Sequence, residues 1–545
     1  MSLGTGGWLA AIATAATEPA ITRGPAATEV RRRVDDRGAS GEEFAVGAGD
    51  GASVRRSRGR GGEVQRPSPR GRGANAGRDR EDPQAPRATR GARASILARA
   101  PDCARRRQRA PSARMSTITD GPAKTPSRAR VLRGRLLCPD PRQAKIERIA
   151  DGLLTIGEDG RIASIAPAPE DCPLPQSYPG AVILPGFVDA HVHFPQTRVI
   201  GSASGPLLRW LERTVFPEEQ RFNNVRYAAA VAWEFCEALI RQGTTCAAIY
   251  ASSHEAATDV LFQELSRCGL RALVGMTLMD RGAPPGLLVG ADEAIAGCER
   301  LIARWHGHDG RLGFCVTPRF ALSCTPELLR AAGRLAEAHG LHVQTHLSEN
   351  TDELRHTAAA FPSARDYLGV YESHGLSGPR SLFAHCVHLS DGEWDRLAAA
   401  GGAVAHCPDS NFFLGSGCMR LRAATGRNIR VGLGTDVGAG RSFSLRQVVA
   451  SAYDASLIAG APATAEELLW LATRGGACAL GMAAELGCLQ AGYSADLAVI
   501  DAPEIAAADG LFDALAFRRD AAPARAVFVR GALLRGAVAA GPEVV

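Results

Sequence analysis

Short stretches of alternating apolar and polar residues lie at both ends of the patterned part of the chain. Near its start they are ARVLRGRLL, GLLTIGEDGRIASIAP and AVILPG, and near its end ADLAVIDA and RAVFVRGALLRG. A period of two between Gly and Pro turns is typical of short antiparallel strands. We therefore predict that residues 129–186 and 487–545 come together as the two parts of one small β-sandwich domain.

Residues 187–486 alternate apolar strands with amphipathic helices. Helical patterns such as YAAAVAWEFCEALIRQG and PELLRAAGRLAEAHG separate several of the strands. The strand candidates are Val182–Phe194, Thr244–Tyr250, Arg271–Leu278, Leu312–Thr317, His342–His346, Leu382–His385, Ala403–His406 and Arg430–Gly434. Eight strands in about 300 residues predict an α/β fold of the (β/α)8 type, a TIM-like barrel.

The first 128 residues show neither the strand period of two nor a helical period, and they are rich in Arg, Gly, Ala, Pro and Ser. Such a composition buries too little apolar surface to offset the entropy of ordering, so residues 1–128 are predicted to be a disordered Arg/Gly/Ala-rich extension. Three interpretations of it stay open. The first is a non-functional extension or a wrongly assigned start codon, since Met115 lies just before the patterned region, the second is an organelle targeting peptide, and the third is an Arg-rich RNA-binding arm.

The net charge of +6 originates in this extension. Residues 1–114 contain 23 Arg and 12 acidic residues, which leaves 40 basic and 45 acidic residues in the rest of the chain. The patterned region therefore shows no nucleic-acid signature. No apolar run reaches the roughly 18 residues of a membrane helix. The 14 cysteines are scattered without a C-x-x-C pair, which is typical of a cytoplasmic enzyme with reduced thiols.

Polar residues that can bind a metal or move protons fall at the predicted carboxyl ends of the strands. In FVDAHVHF, His191 and His193 are two residues apart on one strand, so both imidazoles can face one ion. The other strand-end candidates are Arg319, His346, Glu349, His385 and Asp436. Taken singly, each histidine could be hydrogen-bonded in the core and Asp436 could be a helix N-cap. Together they predict a catalytic site at the C-terminal face of the barrel.

Lysine usage limits the kind of metal site. Some barrel hydrolases bridge two metals with a carboxylated lysine, but the chain has only Lys124 and Lys145, both before the barrel. A single ion with three His-type or carboxylate ligands and an open position for water is therefore favoured. The mixed nitrogen and oxygen ligands suit zinc, with iron as the alternative. The H-x-E and P-C-x-x-C motifs of another zinc deaminase class are absent from the sequence.

The sequence around these positions resembles the amidohydrolase superfamily and, within it, the guanine deaminases. The matching runs are PGFVDAHVHFPQT, WLERTVFPEEQRF, MDRGAP, TPRFALS, THLSEN, FAHCVHL, CPDSNFFLGSG and GTDVGAG. H-x-H, H-x-x-E and the late Asp occur in many amidohydrolases, whereas PQT, TPRF and FPEEQRF are narrower and favour the guanine branch. Ala190, His406 and Asp409 depart from the usual family residues without removing a metal-binding or proton-handling group.

The resemblance implies a role for each candidate residue. The implied metal ligands are His191, His193, His346 and Asp436. Glu349 is the implied proton shuttle, His385 orients the attacking water, and Asp436 accepts its proton. The implied purine contacts are Gln196, Arg319 and Phe320, although plain core packing is an alternative for Phe320.

The activity implied by the resemblance is zinc-dependent hydrolytic deamination of guanine to xanthine and ammonia, in purine catabolism or salvage. The expected partners are the small-molecule substrate guanine and a second copy of the chain in a cytoplasmic homodimer, with no nucleic acid or membrane. Two alternatives stay open. One is a related amidohydrolase that deaminates a pterin, a triazine or adenosine, and the other is a catalytically silent scaffold of the same fold.

Overall fold

The computed structural model describes residues 129–170, 176–203, 205–502, 510–518 and 522–536. The extension 1–128, for which the composition predicts disorder, lies outside the described residues. Within these five ranges, no helix is long and apolar enough to cross a membrane.

The strands of the described ranges form two sheets. In chain order they are β1 (Arg130–Pro139), β2 (Ile146–Ile156), β3 (Ile162–Pro167), β4 (Ser177–Pro185), β5 (Phe187–His193), β6 (Thr244–Tyr250), β7 (Arg271–Gly275), β8 (Thr277–Leu278), β9 (Leu312–Pro318), β10 (His342–Leu347), β11 (Ser381–His385), β12 (Ala403–His406), β13 (Arg430–Leu433), β14 (Leu497–Asp501), β15 (Ala526–Val529) and β16 (Ala532–Gly536).

The first sheet joins both ends of the described chain. Its strands run in the order β16-β15-β14-β4-β1-β2-β3. β14 pairs antiparallel with β4, and Leu497 lies opposite Pro185. Alternate residues of these strands, such as Ile183 and Val499, are buried in one apolar core. The two patterned ends therefore come together as the sequence predicts, in one continuous seven-stranded sheet, while the domain boundaries after residues 186 and 486 stay predictions.

The second sheet is the barrel. Its eight main strands run in the order β13-β12-β11-β10-β9-β7-β6-β5, and the short β8 pairs with β9. Neighbouring strands are parallel. The chain after β13 closes the ring, because Asp436 N donates to His191 O at 2.8 Å and His193 N donates to Val437 O at 3.1 Å. The predicted (β/α)8 architecture is confirmed.

Two predicted strands were wrong in their extent, and the shorter, Arg271–Leu278, is interrupted at Met276 between β7 and β8. The apolar run Val182–Phe194 is two strands in two different sheets, separated at Gly186. A Cβ at Gly186 would lie 2.1 Å from Thr245 Oγ1. The backbone N–H of Gly186 donates to Asp496 O at 2.9 Å. Only a residue without a side chain fits where the chain passes from one sheet to the other. A continuous apolar run cannot show that transfer.

Helices cover the outside of the barrel strands. Those of eight or more residues are Val225–Arg241, Glu255–Cys268, Ala291–Trp305, Pro326–His339, Thr351–Ala360, Asp391–Ala399 and Leu445–Ile458. Shorter helical segments are Phe194–Gln196, Leu207–Trp210, Leu211–Val215, Phe216–Glu219, Gln220–Asn223, Pro285–Leu287, His308–Gly310, Ala321–Ser323, Tyr367–Glu372, Pro408–Phe413, Leu421–Thr425, Ala465–Trp470, Leu471–Gly475, Gly476–Ala479 and Leu511–Phe517.

Helix Pro326–His339 illustrates why these segments are helical. The Thr325 hydroxyl accepts from Leu328 N at 3.3 Å as an N-cap, and Gly340, with φ of 62°, ends the helix. Between these caps, apolar residues three and four apart form the buried face. The buried face holds the helix against the barrel.

Candidate active site

The carboxyl edge of the barrel carries the candidate metal ligands. β5 ends with His191 and His193, β10 contains His346, β11 ends at His385, and Asp436 follows β13. At most 9% of each residue is exposed. His385 and Asp436 have φ of 70° and 48°. Such left-handed backbone is rare outside glycine and is concentrated at functional sites.

Side-chain atoms of these residues converge on one point. His193 Nε2 lies 3.1 Å from His191 Nε2 and 3.2 Å from His346 Nε2. Asp436 Oδ1 lies 3.1 Å from His191 Nε2 and 3.2 Å from His193 Nε2. The ligand atoms of His191, His346, His385 and Asp436 also lie within 4.8 Å of one another. These distances give two sets of possible ligands that share His191, His346 and Asp436. The fourth member is His193 in one set and His385 in the other.

Burial sets the protonation of this cluster. Desolvation lowers the pKa of His193 to about 3 and that of His346 well below its ordinary value. Burial alone would raise the pKa of Asp436, but the adjacent His191 and His193 outweigh it and hold that pKa well below its usual range. The lowered pKa values of His191, His193 and His346 favour neutral imidazoles beside the ionised carboxylate of Asp436.

This set of groups fits a metal ion. Neutral imidazoles only 3.1–3.2 Å apart direct their Nε2 atoms at each other and at Asp436, an arrangement that a cation among them would satisfy. His385 Nε2 is buried and has no hydrogen-bond partner. His346 presents its other nitrogen, Nδ1, to Arg319 O at 2.5 Å, the backbone contact that usually orients a metal-bound histidine.

Glu349 lies beside the cluster at the start of the segment after β10. It is 2% exposed, and its Oε2 is 3.5 Å from His385 Nε2. Ser416 donates to Glu349 Oε1 at 3.2 Å. Burial raises the pKa of Glu349 well above its ordinary value, and the negative charges of Asp436 and Glu353 act in the same direction. A raised pKa favours the protonated carboxyl, which can donate a proton to a bound molecule.

A pocket opens next to Glu349 and the metal-binding cluster. Its lining residues are His193, Gln196, Leu207, Trp210, Leu211, Arg319, Phe320, His346, Glu349, His385, Leu414, Asp436 and Ala439. The structure thus brings the three expected purine contacts to one cavity with the candidate catalytic groups. His191 lies behind His193, against Asp436.

Comparison with protein families gives a match over more than half of the chain. Residues 182–534 match the description "Amidohydrolase family". This range includes every strand of the barrel and all nine candidate site residues.

The chain belongs to the amidohydrolase family.

Curated relatives within this amidohydrolase family are guanine deaminases. The guanine deaminase of Escherichia coli strain K12 is 40% identical over 327 residues, which are 60% of this chain and 74% of that protein. The probable guanine deaminase of Deinococcus radiodurans is 41% identical over 355 residues, which are 63% of this chain and 81% of that protein. The resemblance predicted from the motifs is therefore confirmed.

Solved amidohydrolase structures share the fold. The guanine deaminase of C. acetobutylicum with guanine bound in its active site has a TM-score of 0.70 and 30% identity, over 74% of this chain and 99% of that one. An adenosine deaminase of Xanthomonas campestris with bound zinc has a TM-score of 0.65 and 26% identity, over 74% and 92%.

Several residues of the site were not identified from the sequence. Trp210 and Leu414 line the pocket, Asn411 contacts His385 at 2.9 Å, and Ser416 contacts Glu349. Glu219 is buried against two of the expected purine contacts. All five lie in the runs WLERTVFPEEQRF and CPDSNFFLGSG. The two sequence runs indicated that these segments belong to the site, but only tertiary contacts reveal which of their side chains face it.

Proposed function

We propose that this amidohydrolase converts guanine and water to xanthine and ammonia with one zinc ion per subunit. The observation that carries the proposal is a pocket in which buried Gln196 and Arg319 lie together with buried Glu349 and the metal-binding cluster. The 40% identity with the guanine deaminase of Escherichia coli supports guanine as the ring that enters it.

The proposed metal ligands are His191, His193, His346 and Asp436, because their nearest ligand atoms are 3.1–3.2 Å apart. Mixed nitrogen and oxygen donors suit zinc, and zinc is bound in the related adenosine deaminase structure. Zinc supplies Lewis acidity, which lowers the pKa of water to about 7.

Three side chains of this chain handle protons in the proposed reaction. Ionised Asp436 accepts a proton from the attacking water, which His385 orients through Nε2, 3.8 Å from Asp436 Oδ2. Protonated Glu349 donates to the ring nitrogen beside the amino-bearing carbon, takes a proton from the hydroxyl that has added to that carbon and delivers it to the departing amine. The proton held by Asp436 then returns Glu349 to its protonated state. Collapse of the tetrahedral intermediate breaks the bond between carbon and the exocyclic nitrogen and releases ammonia.

Recognition of the ring is assigned to Gln196, Arg319 and Phe320, which also line the pocket. Gln196 offers an amide with donors and an acceptor, and Arg319 offers guanidinium donors for a ring carbonyl. Phe320 is 2% exposed and packs in the apolar cluster that contains Trp210 and Leu414. We assign to it the closing of the pocket over the ring face.

The deciding experiment measures the loss of guanine by ultraviolet absorbance with zinc-loaded protein, alongside adenosine, a pterin and a triazine. We expect guanine to be the preferred substrate. Turnover of another ring without guanine turnover would assign the chain to a different branch of the family. Zinc binding without turnover of any of the four rings would favour the scaffold alternative.

We also propose the homodimer and the cytoplasmic location that the resemblance implies. Size-exclusion chromatography with light scattering would test the dimer, and fractionation of the native cell would test the location. The twelve cysteines of the described ranges that are free, such as buried Cys236 and Cys407, are consistent with a reducing compartment.

A further inference from the structure

Glu219 is a buried carboxylate that the proposed reaction does not use. It ends the helical turn Phe216–Glu219, directly after the segment that brings Trp210 and Leu211 to the pocket. Only 4% of the residue is exposed. A buried carboxylate is unfavourable unless its oxygens are paired, so the partners of Glu219 indicate its purpose.

Each carboxylate oxygen of Glu219 contacts a different pocket residue. Gln196 Nε2 donates to Oε1 at 3.2 Å, and Arg319 Nη1 donates to Oε2 at 2.6 Å. Both partners are themselves buried, with 2% and 3% exposed, and both line the pocket. Glu219 therefore lies behind the two side chains assigned to ring recognition and links them.

The contact with Glu219 fixes which way round the Gln196 amide faces. A carboxylate only accepts hydrogen bonds, so the amide must direct Nε2 toward Glu219. The other end is fixed as well, because Gly438 N donates to Gln196 Oε1 at 3.1 Å. A flipped amide would oppose oxygen to oxygen and N–H to N–H. One hydrogen on Nε2 and one lone pair on Oε1 of Gln196 remain for a ligand, and the two contacts fix which end of the amide is the donor.

The same carboxylate balances the charge of Arg319. The guanidinium is otherwise close to apolar groups, with its carbon 5.5 Å from the centre of the Phe216 ring and Nη1 3.7 Å from Met279 Sδ. Paired with Glu219, it presents directed donors without net charge. Such a surface suits a neutral ring carbonyl better than an anion.

We propose that Glu219 is a positioning residue that fixes the order of donors and acceptors that Gln196 and Arg319 present to the substrate, and thereby selects the ring edge of guanine. The inference rests on the proposed function. Guanine carries N–H at ring position 1 and a carbonyl at position 6, whereas adenine carries a bare nitrogen and an amino group there. A fixed amide orientation separates these two patterns, and a freely flipping amide does not.

The test compares the Glu219→Gln variant with Glu218→Gln as a matched control. Glu218 is the preceding residue and is also buried, but its carboxylate pairs with Arg221 at 2.8 Å and with the Tyr227 hydroxyl, outside the pocket lining. A Gln side chain at position 219 both donates and accepts, so it no longer dictates the orientation of Gln196. The measurements are KM and kcat for guanine, the inhibition constant for adenine, and Tm.

For Glu219→Gln we expect KM for guanine to rise about tenfold or more, with a smaller change in kcat, because ground-state recognition is what is lost. The preference for guanine over adenine should fall by a similar factor. Glu218→Gln should leave both quantities unchanged. If Glu219→Gln does not fold, Glu219→Asp replaces it, since it keeps the charge beside Arg319 but shortens the link to Gln196.

The failures of the two proposals can be told apart. Guanine turnover by the wild-type protein, together with a folded Glu219 variant whose KM and guanine preference match those of Glu218→Gln, would overturn the role of Glu219 alone. A wild-type protein that does not deaminate guanine would overturn both proposals. A loss of Tm without any change in the ratio of guanine to adenine binding would reduce Glu219 to a structural ion pair.

Discussion

The ring of His385 donates from Nδ1 to the side-chain oxygen of Asn411 at 2.9 Å. Because the amide oxygen is an acceptor, this contact places the proton of the neutral ring on Nδ1 and leaves Nε2 as the unprotonated nitrogen. Nε2 faces Glu349 Oε2 at 3.5 Å and Asp436 Oδ2 at 3.8 Å. A residue 26 positions away thus sets the tautomer that the active site uses.

Removing this acceptor should slow the reaction. We expect Asn411→Ala to lower kcat about 10- to 100-fold, the usual effect of losing a partner that orients a catalytic or metal-bound histidine. Zinc content should be retained, since none of the four proposed ligands contacts Asn411. Steady-state kinetics with metal analysis checks this, and Asn223→Ala, an exposed asparagine outside the active-site pocket, is the control. Equal kcat in both variants would contradict the role of Asn411.

Glu349→Gln should separate metal binding from turnover. The amide is similar in shape to the carboxyl but cannot transfer its proton, so we expect kcat to fall about 10²- to 10⁴-fold. Zinc content and Tm should stay near the wild-type values, because Glu349 is not a proposed ligand. Glu299→Gln, a surface carboxylate paired with His339, serves as the control. Full activity of Glu349→Gln would refute the proton shuttle.

Removal of the metal should lower stability as well as activity. A ligand that binds only the folded state at about 100 times its Kd adds about 3 kcal/mol to the free energy of unfolding. We therefore expect chelated protein to melt at a lower temperature and added zinc to restore the original Tm.

Substitution of two histidines, one inside and one outside the cluster, tests where the ion binds. In His193→Ala the zinc-dependent shift in Tm should disappear, whereas His339→Ala, at the end of an outer helix, should keep it. Superimposable melting curves of the wild-type protein with and without zinc would show that the cluster holds no ion.

The sequence predicted the strand ends well because local patterns encode them. Apolar runs mark the buried strands, and His191 and His193 are adjacent on one strand face whatever the rest of the fold does. Glu219 and Asn411 were not assigned roles, because these depend on contacts with Arg319, 100 residues away, and with His385, 26 residues away. The identity of an acidic or amide residue carries no signal of such a distant partner.

Closure of the barrel next to the metal site depends on the absence of a side chain at Gly434. A Cβ there would lie 2.7 Å from His191 Cβ and 2.9 Å from Cys407 Sγ. Neither neighbour can move away easily, because both are buried and His191 O accepts from Asp436 N across the closing strands. An added methyl group must therefore push β5 away from the end of β13 and displace a proposed metal ligand.

We expect Gly434→Ala to lower the free energy of unfolding by about 1–3 kcal/mol, the usual effect of overpacking a core, and to weaken zinc binding. Gly378→Ala is the matched control, since a Cβ there has no heavy atom within 4 Å. Urea denaturation gives the stability, and zinc titration with a competing chelator gives the affinity. If Gly434→Ala lost stability but bound zinc as tightly as Gly378→Ala, the closing strands would tolerate a shift without moving His191. The position of that ligand would then be set by Asp189, which accepts from His191 N at 3.2 Å.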